Sequence, residues 1–149
     1  MQFSKVKLQM IKDSPTAFSF DTIHNADDAV EIVNSIEKLE LSPNKKLIEI
    51  GLDIKNNLIM YTEVITGAVT EMLVPIDSIF KPLLLANCTK FILMHNNPSG
   101  NSKPSKTDIN TTKKIQEAGK LMNIELLDYI IIANENDHTS ILKEIEEDA

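Results

Sequence analysis

The residues best suited to chemistry lie between Phe91 and Asp108, in the segment FILMHNNPSGNSKPSKTD. A short apolar strand is predicted to end at His95, and a loop rich in Pro, Ser, Gly and Asn then leads to Ser105 and Asp108 at the start of a helix. A histidine, a hydroxyl and a carboxylate would thus meet in one place. A catalytic zinc usually has three protein ligands, and the candidates here are His95 and Asp108, with Asn97 where a third is expected.

Length and composition predict one compact domain. The chain has 149 residues, of which 42% are hydrophobic, enough for one core and too few for two domains. No apolar run approaches the ~20 residues of a membrane span, and the amino terminus lacks the apolar stretch of a signal peptide. We therefore expect a cytoplasmic protein with no membrane partner. The lone Cys88 can form no internal disulfide and is predicted to be a small buried side chain.

The charge of the chain argues against nucleic acid as a direct partner. Its net charge is −7, and all 15 basic residues are lysines. Phosphate binding needs positive charge gathered on one face, and arginine is the usual bidentate reader of phosphate and guanine. Lys103, Lys106 and Lys120 lie in or near the candidate loop and its helix, where they could contact DNA or simply form a solvated face.

Hydrophobic periodicity predicts strands interleaved with three helices. The predicted strands are Val6–Met10, Leu47–Ile54, Leu58–Ile65, Lys90–Met94, Glu125–Ala133 and Thr139–Leu142. The predicted helices are Ala26–Leu39, Pro75–Ala86 and Asp108–Met122. Asn25 is predicted to cap the first helix, and Pro82 to kink the second or shift its start. The pattern is typical of an α/β fold with a central sheet flanked by helices.

Three segments are distinguished along the chain. Residues 1–25 are predicted to form an N-terminal strand and loop, residues 26–143 the folded domain, and residues 144–149 a frayed acidic tail. Ser105 and Asp108 match the capping-box pattern, in which each side chain bonds backbone N–H groups at a helix start. His95 could equally be a strand-end histidine that hydrogen-bonds the loop backbone.

The loop residues resemble the signature of RadC-type proteins, a branch of the JAB/MPN/JAMM metalloprotease-like superfamily. That signature reads His-x-His-Pro-Ser-Gly, followed at fixed spacing by Ser and Asp, and the chain reads HNNPSG and then PSKTD. The similarity covers roughly Ala26 to Lys143. It implies a single-domain JAB/MPN fold, of cytidine-deaminase-like type, in which a curved mixed sheet is flanked by helices and the metal loop follows a buried strand.

The resemblance also implies a set of site residues. In superfamily members with the complete motif, two histidines and an aspartate hold zinc, and an upstream glutamate works through the metal-bound water. His95 matches the first histidine, Asn97 stands at the second, and Asp108 and Ser105 match the aspartate and the serine, Ser105 being the candidate catalytic serine. The glutamate falls at Lys45. Where RadC-type proteins commonly read Asp-His, this chain has Asp128 and Tyr129.

Three interpretations follow from these matches and departures. The first is a RadC-like domain with a degenerate zinc metallohydrolase site, which is impaired in catalysis and acts through a protein or peptide partner. In this interpretation zinc is absent or weakly bound, and a homo-oligomer is possible. The second is an active zinc-dependent peptidase or isopeptidase-like hydrolase, with Asn97 or water as third ligand and Glu49 or Glu63 as base. The third is an accessory protein in DNA repair or mobile-element biology, as the traditional repair label of RadC-type proteins suggests.

Overall fold

The core of the fold is a five-stranded mixed sheet in the order β2-β1-β3-β4-β5. The computed structural model describes residues 1–5, 22–67, 74–134 and 137–148. The strands are β1 Lys45–Leu52, β2 Leu58–Gly67, β3 Lys90–Asn96, β4 Glu125–Asn134 and β5 Asp137–Ser140. The helices are α1 Ala26–Ile36, α2 Ile76–Leu85, α3 Lys106–Met122 and α4 Ile141–Glu147, with a 3₁₀ turn at Leu39–Leu41. The strand predicted at Val6–Met10 lies outside the described residues.

The topology confirms the predicted α/β class. β1 and β2 form the predicted hairpin, and β1 also pairs antiparallel with β3. β3 and β4 are parallel and are joined through α3, as a parallel pair requires a crossover connection. β5 returns antiparallel along β4, which leaves an open sheet rather than a closed barrel.

Both faces of the sheet are covered, so the inner strands are buried on both sides. One face packs against α1 through a cluster that includes Ile48, Ile50, Ile92, Met94 and Ile130. The other face packs against α2, α3 and α4 through a cluster that includes Leu47, Phe80, Phe91, Leu93, Ile115 and Ile141. The continuous apolar run of β3 is typical of such a strand. Within the described part of the chain, no helix has the length and apolarity needed to cross a membrane.

Capping residues explain where the helices begin. The side chain of Asn25 accepts a hydrogen bond from the Asp28 amide at the start of α1, as predicted. α2 begins directly after Pro75 and continues through Pro82, so its start is not shifted. At the C-terminal end of α3, the capping residue Asn123 adopts a left-handed conformation with φ 58°.

Close contact between α3 and β4 depends on one glycine. A Cβ atom added at Gly119 would lie 2.4 Å from the backbone oxygen of Ile124. The amide of Ile124 donates to the Gly119 carbonyl at 2.9 Å, which turns the chain from the helix into β4. A side chain at position 119 would therefore push apart the helix that carries Asp108 and the strand that carries Tyr129.

The acidic tail was predicted to be frayed, and this prediction is wrong for its residues up to Glu147. Residues Ile141–Glu147 form α4, and the side chain of Ser140 caps it by accepting from the Lys143 amide. Ile141 is fully buried against the sheet. The edge strand predicted at Thr139–Leu142 correspondingly lies earlier, at Asp137–Ser140. One apolar side chain at the start of the segment thus anchors the helix despite its charge.

Candidate metal centre

His95 lies near the end of β3 and is buried, with 2% of its surface exposed. Its Nδ1 atom is 2.8 Å from the hydroxyl oxygen of Tyr129, and the two rings meet edge to face with centroids 5.3 Å apart. β4 supplies Tyr129 to the same face of the sheet because it runs parallel to β3, with Tyr129 opposite Leu93. The alternative prediction, a bond from His95 to the loop backbone, is therefore wrong: its partner is a side chain on the neighbouring strand.

The charge of His95 is controlled by its surroundings. Burial lowers the pKa of His95 to about 4, and the positive charge of Lys45 acts in the same direction. The negative charge of Asp108 opposes both, but it is the smallest of the three effects. His95 is consequently a neutral imidazole at physiological pH.

Lys45 begins β1 on the same face of the sheet as His95. Leu47 pairs directly with His95 across β1 and β3, and Lys45 is two residues earlier on β1. Alternate residues of a strand share a face. The resemblance assigns the family's glutamate to position 45. This position faces the site, but its residue is a positively charged lysine.

Asn97 starts the loop after β3, and its side chain is bonded within that loop. The amide nitrogen Nδ2 donates to the carbonyl of Asn101 at 2.7 Å, and the backbone N–H of Asn97 donates to the Ile132 carbonyl at 2.8 Å. The Gly100 N–H in turn donates to the Asn97 carbonyl at 2.9 Å. These bonds hold the loop against the end of β4.

Ser105 and Asp108 form the predicted capping box at the start of α3. The Ser105 hydroxyl accepts from the Asp108 amide at 3.1 Å, and carboxylate oxygen Oδ2 of Asp108 accepts from the Ser105 amide at 2.8 Å. The Thr112 hydroxyl donates to the Asp108 carbonyl at 2.7 Å. One oxygen of the Asp108 carboxylate is thus already committed to the helix.

His95, Asp108 and Asn97 supply one imidazole, one carboxylate and one neutral amide among the described residues. Among the described residues, no three His, Cys, Asp or Glu side chains gather as a metal-ligand group. The charge of Asp108 raises the pKa of His95 slightly against the larger effects of burial and Lys45, and the position of the family's second histidine holds the neutral amide of Asn97. Zinc sites in proteins are built from imidazole, thiolate and carboxylate ligands, and the nearby ammonium of Lys45 repels a dication.

Neither glutamate considered as a base is suited to that role. Glu63 pairs with Ile48, which places it on the face opposite to His95, where its carboxylate is 3.7 Å from the Lys46 ammonium. Glu49 is on the His95 face, but it is fully buried, and neither carboxyl oxygen has a hydrogen-bond partner in the part of the chain that the structure describes. Burial raises the pKa of Glu49 to about 9, so it is a neutral acid at pH 7.

Tyr129 was not among the predicted site residues. The sequence marked it only as a departure from the Asp-His that RadC-type proteins commonly have. Asp128, beside it, accepts from the Tyr129 amide at 2.7 Å and from the Ser140 hydroxyl at 2.8 Å. Asp128 therefore links β4 to the start of α4, while Tyr129 is the side chain that reaches the site.

The fold and the site together define a mixed α/β domain with a histidine at the end of an inner strand and an aspartate at the start of the next helix. The family model of the RadC-like JAB domain matches residues 23–147. This chain therefore belongs to the RadC-like JAB domain family.

Curated relatives of this chain carry the name UPF0758 protein, and three of them are described here. One from Clostridium perfringens is 37% identical over 112 residues, which cover 75% of this chain and 48% of the relative. One from Clostridium botulinum is 41% identical over 120 residues, covering 76% and 52% respectively. One from Methanosarcina mazei is 36% identical over 97 residues, covering 65% and 42%. The chain thus spans about half the length of the curated relatives it matches.

Proposed function

We propose that this RadC-like JAB domain has lost the zinc chemistry of its superfamily and acts by binding a protein or peptide partner. The observation that carries the proposal is the side chain of Asn97. It stands where the family motif has its second histidine, and its amide donates to the Asn101 carbonyl at 2.7 Å. His95 and Asp108 are then the two remaining strong donors, and two protein ligands rarely hold zinc.

Charge at the site favours the same conclusion. Lys45 is on the His95 face, and its charge lowers the pKa of His95, although burial has the larger effect. A lysine near a prospective zinc disfavours the metal by repulsion between cations. It also cannot act as the carboxylate that would move a proton from a metal-bound water.

An active hydrolase has less support. Glu63 is on the opposite face of the sheet, and Glu49 holds its proton because burial raises its pKa to about 9. A general base must be ionised and within reach of the water it activates. Neither candidate base meets both conditions.

The loop is held by hydrogen bonds among its own residues. The bonds from Asn97 to Asn101 and from Gly100 to Asn97 close the turn, and the Lys103 amide donates to the Asn101 side chain at 3.0 Å. The capping box of Ser105 then fixes the start of α3. A loop held by its own hydrogen bonds is suited to binding, since little conformational entropy is lost when a partner docks.

Elemental analysis tests the proposal. The protein is purified in zinc-supplemented buffer, and its zinc content is expected to be well below one equivalent per chain. The variant Asn97→His, Lys45→Glu is expected to retain zinc because it restores the missing ligand and removes the cation. A matched control, Asn101→His with Lys45→Glu, places the histidine elsewhere in the same loop and is expected to remain free of zinc.

Two results would contradict the proposal. One tightly held zinc per chain in the unmodified protein, lost in an Asp108→Ala variant, would show a working metal site. Failure of the Asn97→His, Lys45→Glu variant to bind zinc, with its fold intact by circular dichroism, would show that these positions do not form an inherited metal site.

A further inference from the structure

A groove of about 670 Å³ lies at the end of the sheet where β3 and β4 begin. This is the end opposite to the motif, because His95 lies near the last residue of β3. The turn after β1, the last turns of α3, the start of β4 and one side of α4 all contribute to its lining. Ligand sites in proteins typically have volumes of about 300–1,000 Å³, so the groove is large enough to hold a ligand.

Apolar side chains line the groove at several points. Leu126 is buried, whereas Leu127 and Leu142 are half-buried and leave part of their surface open. Ile54, in the turn after β1, also lines the groove and is 73% exposed. A partner that covers these side chains with apolar groups removes their surface from water, which favours binding.

Lys90 supplies a positive charge that is held in place at the groove. Its ammonium nitrogen Nζ donates to the side-chain oxygen of Asn56 at 2.8 Å and to the carbonyl of Ile54 at 3.1 Å. Both acceptors are neutral, and no carboxylate forms an ion pair with Lys90 in the part of the chain that the structure describes. An ammonium group has three N–H donors, so one donor and the whole charge remain for an anion.

The surrounding charges favour an anion near Lys90 over an anion near α4. Lys120, in the last turn of α3, also lines the groove. Glu125 pairs with Lys90 in the register of β3 and β4 and weakens this preference, while Glu146 lines the groove on the α4 side. A second groove of about 630 Å³ adjoins it at α4 and is lined by five carboxylates, those of Asp27, Asp128, Glu144, Glu146 and Glu147. Repulsion between like charges disfavours an anion there.

We propose that the groove beside Lys90 binds an extended peptide segment of a partner protein, with a carboxylate of the peptide at Lys90 and its apolar side chains against the leucines. The groove extends from the turn after β1 to α4, which suits an extended chain. Gln116 and Asn123 also line it, and their side-chain amides are suited to the amide groups of a peptide. The role of the groove in the cell rests on the proposed function, but peptide binding itself does not.

NMR titration of the ¹⁵N-labelled protein with two short peptides tests the groove. The probe is N-acetyl-Leu-Ser-Leu with a free C-terminal carboxylate, and the same peptide with a C-terminal amide is its neutral match. Both are expected to shift the backbone signals of groove residues in a saturable way. The acid should bind about threefold more tightly, as expected for one partly exposed ion pair. Raising the salt concentration should reduce this preference, because salt screens the ion pair.

Three variants separate the charge of the groove from its apolar surface. Lys90→Met removes the charge and is expected to bind the acid and the amide equally. Lys81→Met is the matched control and should keep the preference, since Lys81 is an exposed lysine on α2 that pairs with Asp77 at 3.3 Å. Ile54→Ser should weaken both peptides by about threefold or more, because it removes apolar contact surface. If Lys90→Met does not fold, the salt dependence of the unmodified protein decides the role of the charge.

Several results would overturn the inference. Equal affinity of the unmodified protein for the two peptides, at low salt, would show that Lys90 does not bind a carboxylate. The absence of saturable shifts in the groove, or shifts confined to residues around His95, would show that the peptide does not bind there. Shifts of the groove signals with protein concentration alone would assign the groove to a second copy of the chain.

These outcomes are independent of the zinc measurements. Tightly bound zinc in the purified protein would overturn the proposed function, whatever the groove binds. Failure of both peptides to bind the groove would overturn the present inference and would leave the zinc content unaffected.

Discussion

His95 and Glu49 are both buried polar side chains on the same face of the sheet, but they differ in their bonding. His95 is 2% exposed and bonded to Tyr129. Glu49 is 0% exposed, and its two carboxyl oxygens have no hydrogen-bond partner within the described ranges of the chain. Burial is therefore compensated by a hydrogen bond at His95, whereas at Glu49 no such bond is present among the described residues.

Glu49 is fully buried in the sheet. It lies in the middle of β1, opposite Leu93 on β3 and Thr62 on β2. Its charge would act on the Cys88 thiol, whose pKa is raised to about 11, mainly by burial. An uncompensated buried carboxylate is costly, so the folded protein favours the protonated acid.

The largest predicted effect comes from removing this carboxyl group. Glu49→Leu replaces unpaired oxygens with apolar surface of similar size and is expected to raise the free energy of unfolding at pH 8 by about 3 kcal/mol. Urea denaturation measures the change. Glu49→Gln, which keeps an unpaired polar group but cannot ionise, is expected to gain less. If Glu49→Leu is less stable than the unmodified protein, the carboxyl group of Glu49 makes a stabilising contact and the prediction is wrong.

The free energy of unfolding should change with pH in opposite directions for Glu49 and His95. The pKa of Glu49 is raised to about 9 from its ordinary value of 4.5, so its contribution to stability is lost as pH rises through that range. The pKa of His95 is lowered to about 4 from 6.5, so its effect is the reverse, with stability lost as pH falls from 6.5 towards 4.

Between pH 7 and 8.5 only the Glu49 effect is expected to operate. The free energy of unfolding should fall by up to about 2 kcal/mol over this interval, since a proton released on unfolding contributes at most about 1.4 kcal/mol per pH unit. Thermal or urea denaturation across the interval measures the slope. The same series with Glu49→Gln should be flat, and an equal slope in both proteins would assign the effect to another group.

A smaller effect is expected where the motif region is well bonded. Ser105→Ala removes the hydroxyl that caps α3 and should lower the free energy of unfolding by about 1 kcal/mol. The loss should be the same in chelator and in excess zinc, because the role of the serine is structural. Ser102→Ala, which removes a surface bond to Asp137, is the control and should change stability less. A loss for Ser105→Ala that appears only with zinc would contradict the capping role.

Most of the fold follows from local sequence patterns. Alternation and turn residues identify the hairpin of β1 and β2, and helical spacing with a capping box identifies α3. The acidic end of the chain was mispredicted because its charge suggested fraying, whereas the burial of Ile141 and the cap at Ser140 stabilise a short helix. Those contacts depend on the position of β4, which local patterns do not give.

The capping box of Ser105 and Asp108 could be predicted from the sequence, but the bond between His95 and Tyr129 could not. His95, Asn97, Ser105 and Asp108 are adjacent in one motif, so their proximity follows from the chain itself. The bond between His95 and Tyr129 joins residues 34 positions apart and depends on the parallel register of β3 and β4. The lack of a partner for Glu49 likewise depends on what packs above the sheet.

Calorimetric titration of the metal-free protein with zinc shows whether the site binds the metal. We expect no saturable one-site binding for the unmodified chain at micromolar protein, and a one-site isotherm for Asn97→His, Lys45→Glu. A submicromolar one-site isotherm in the unmodified protein, abolished by Asp108→Ala, would contradict this expectation.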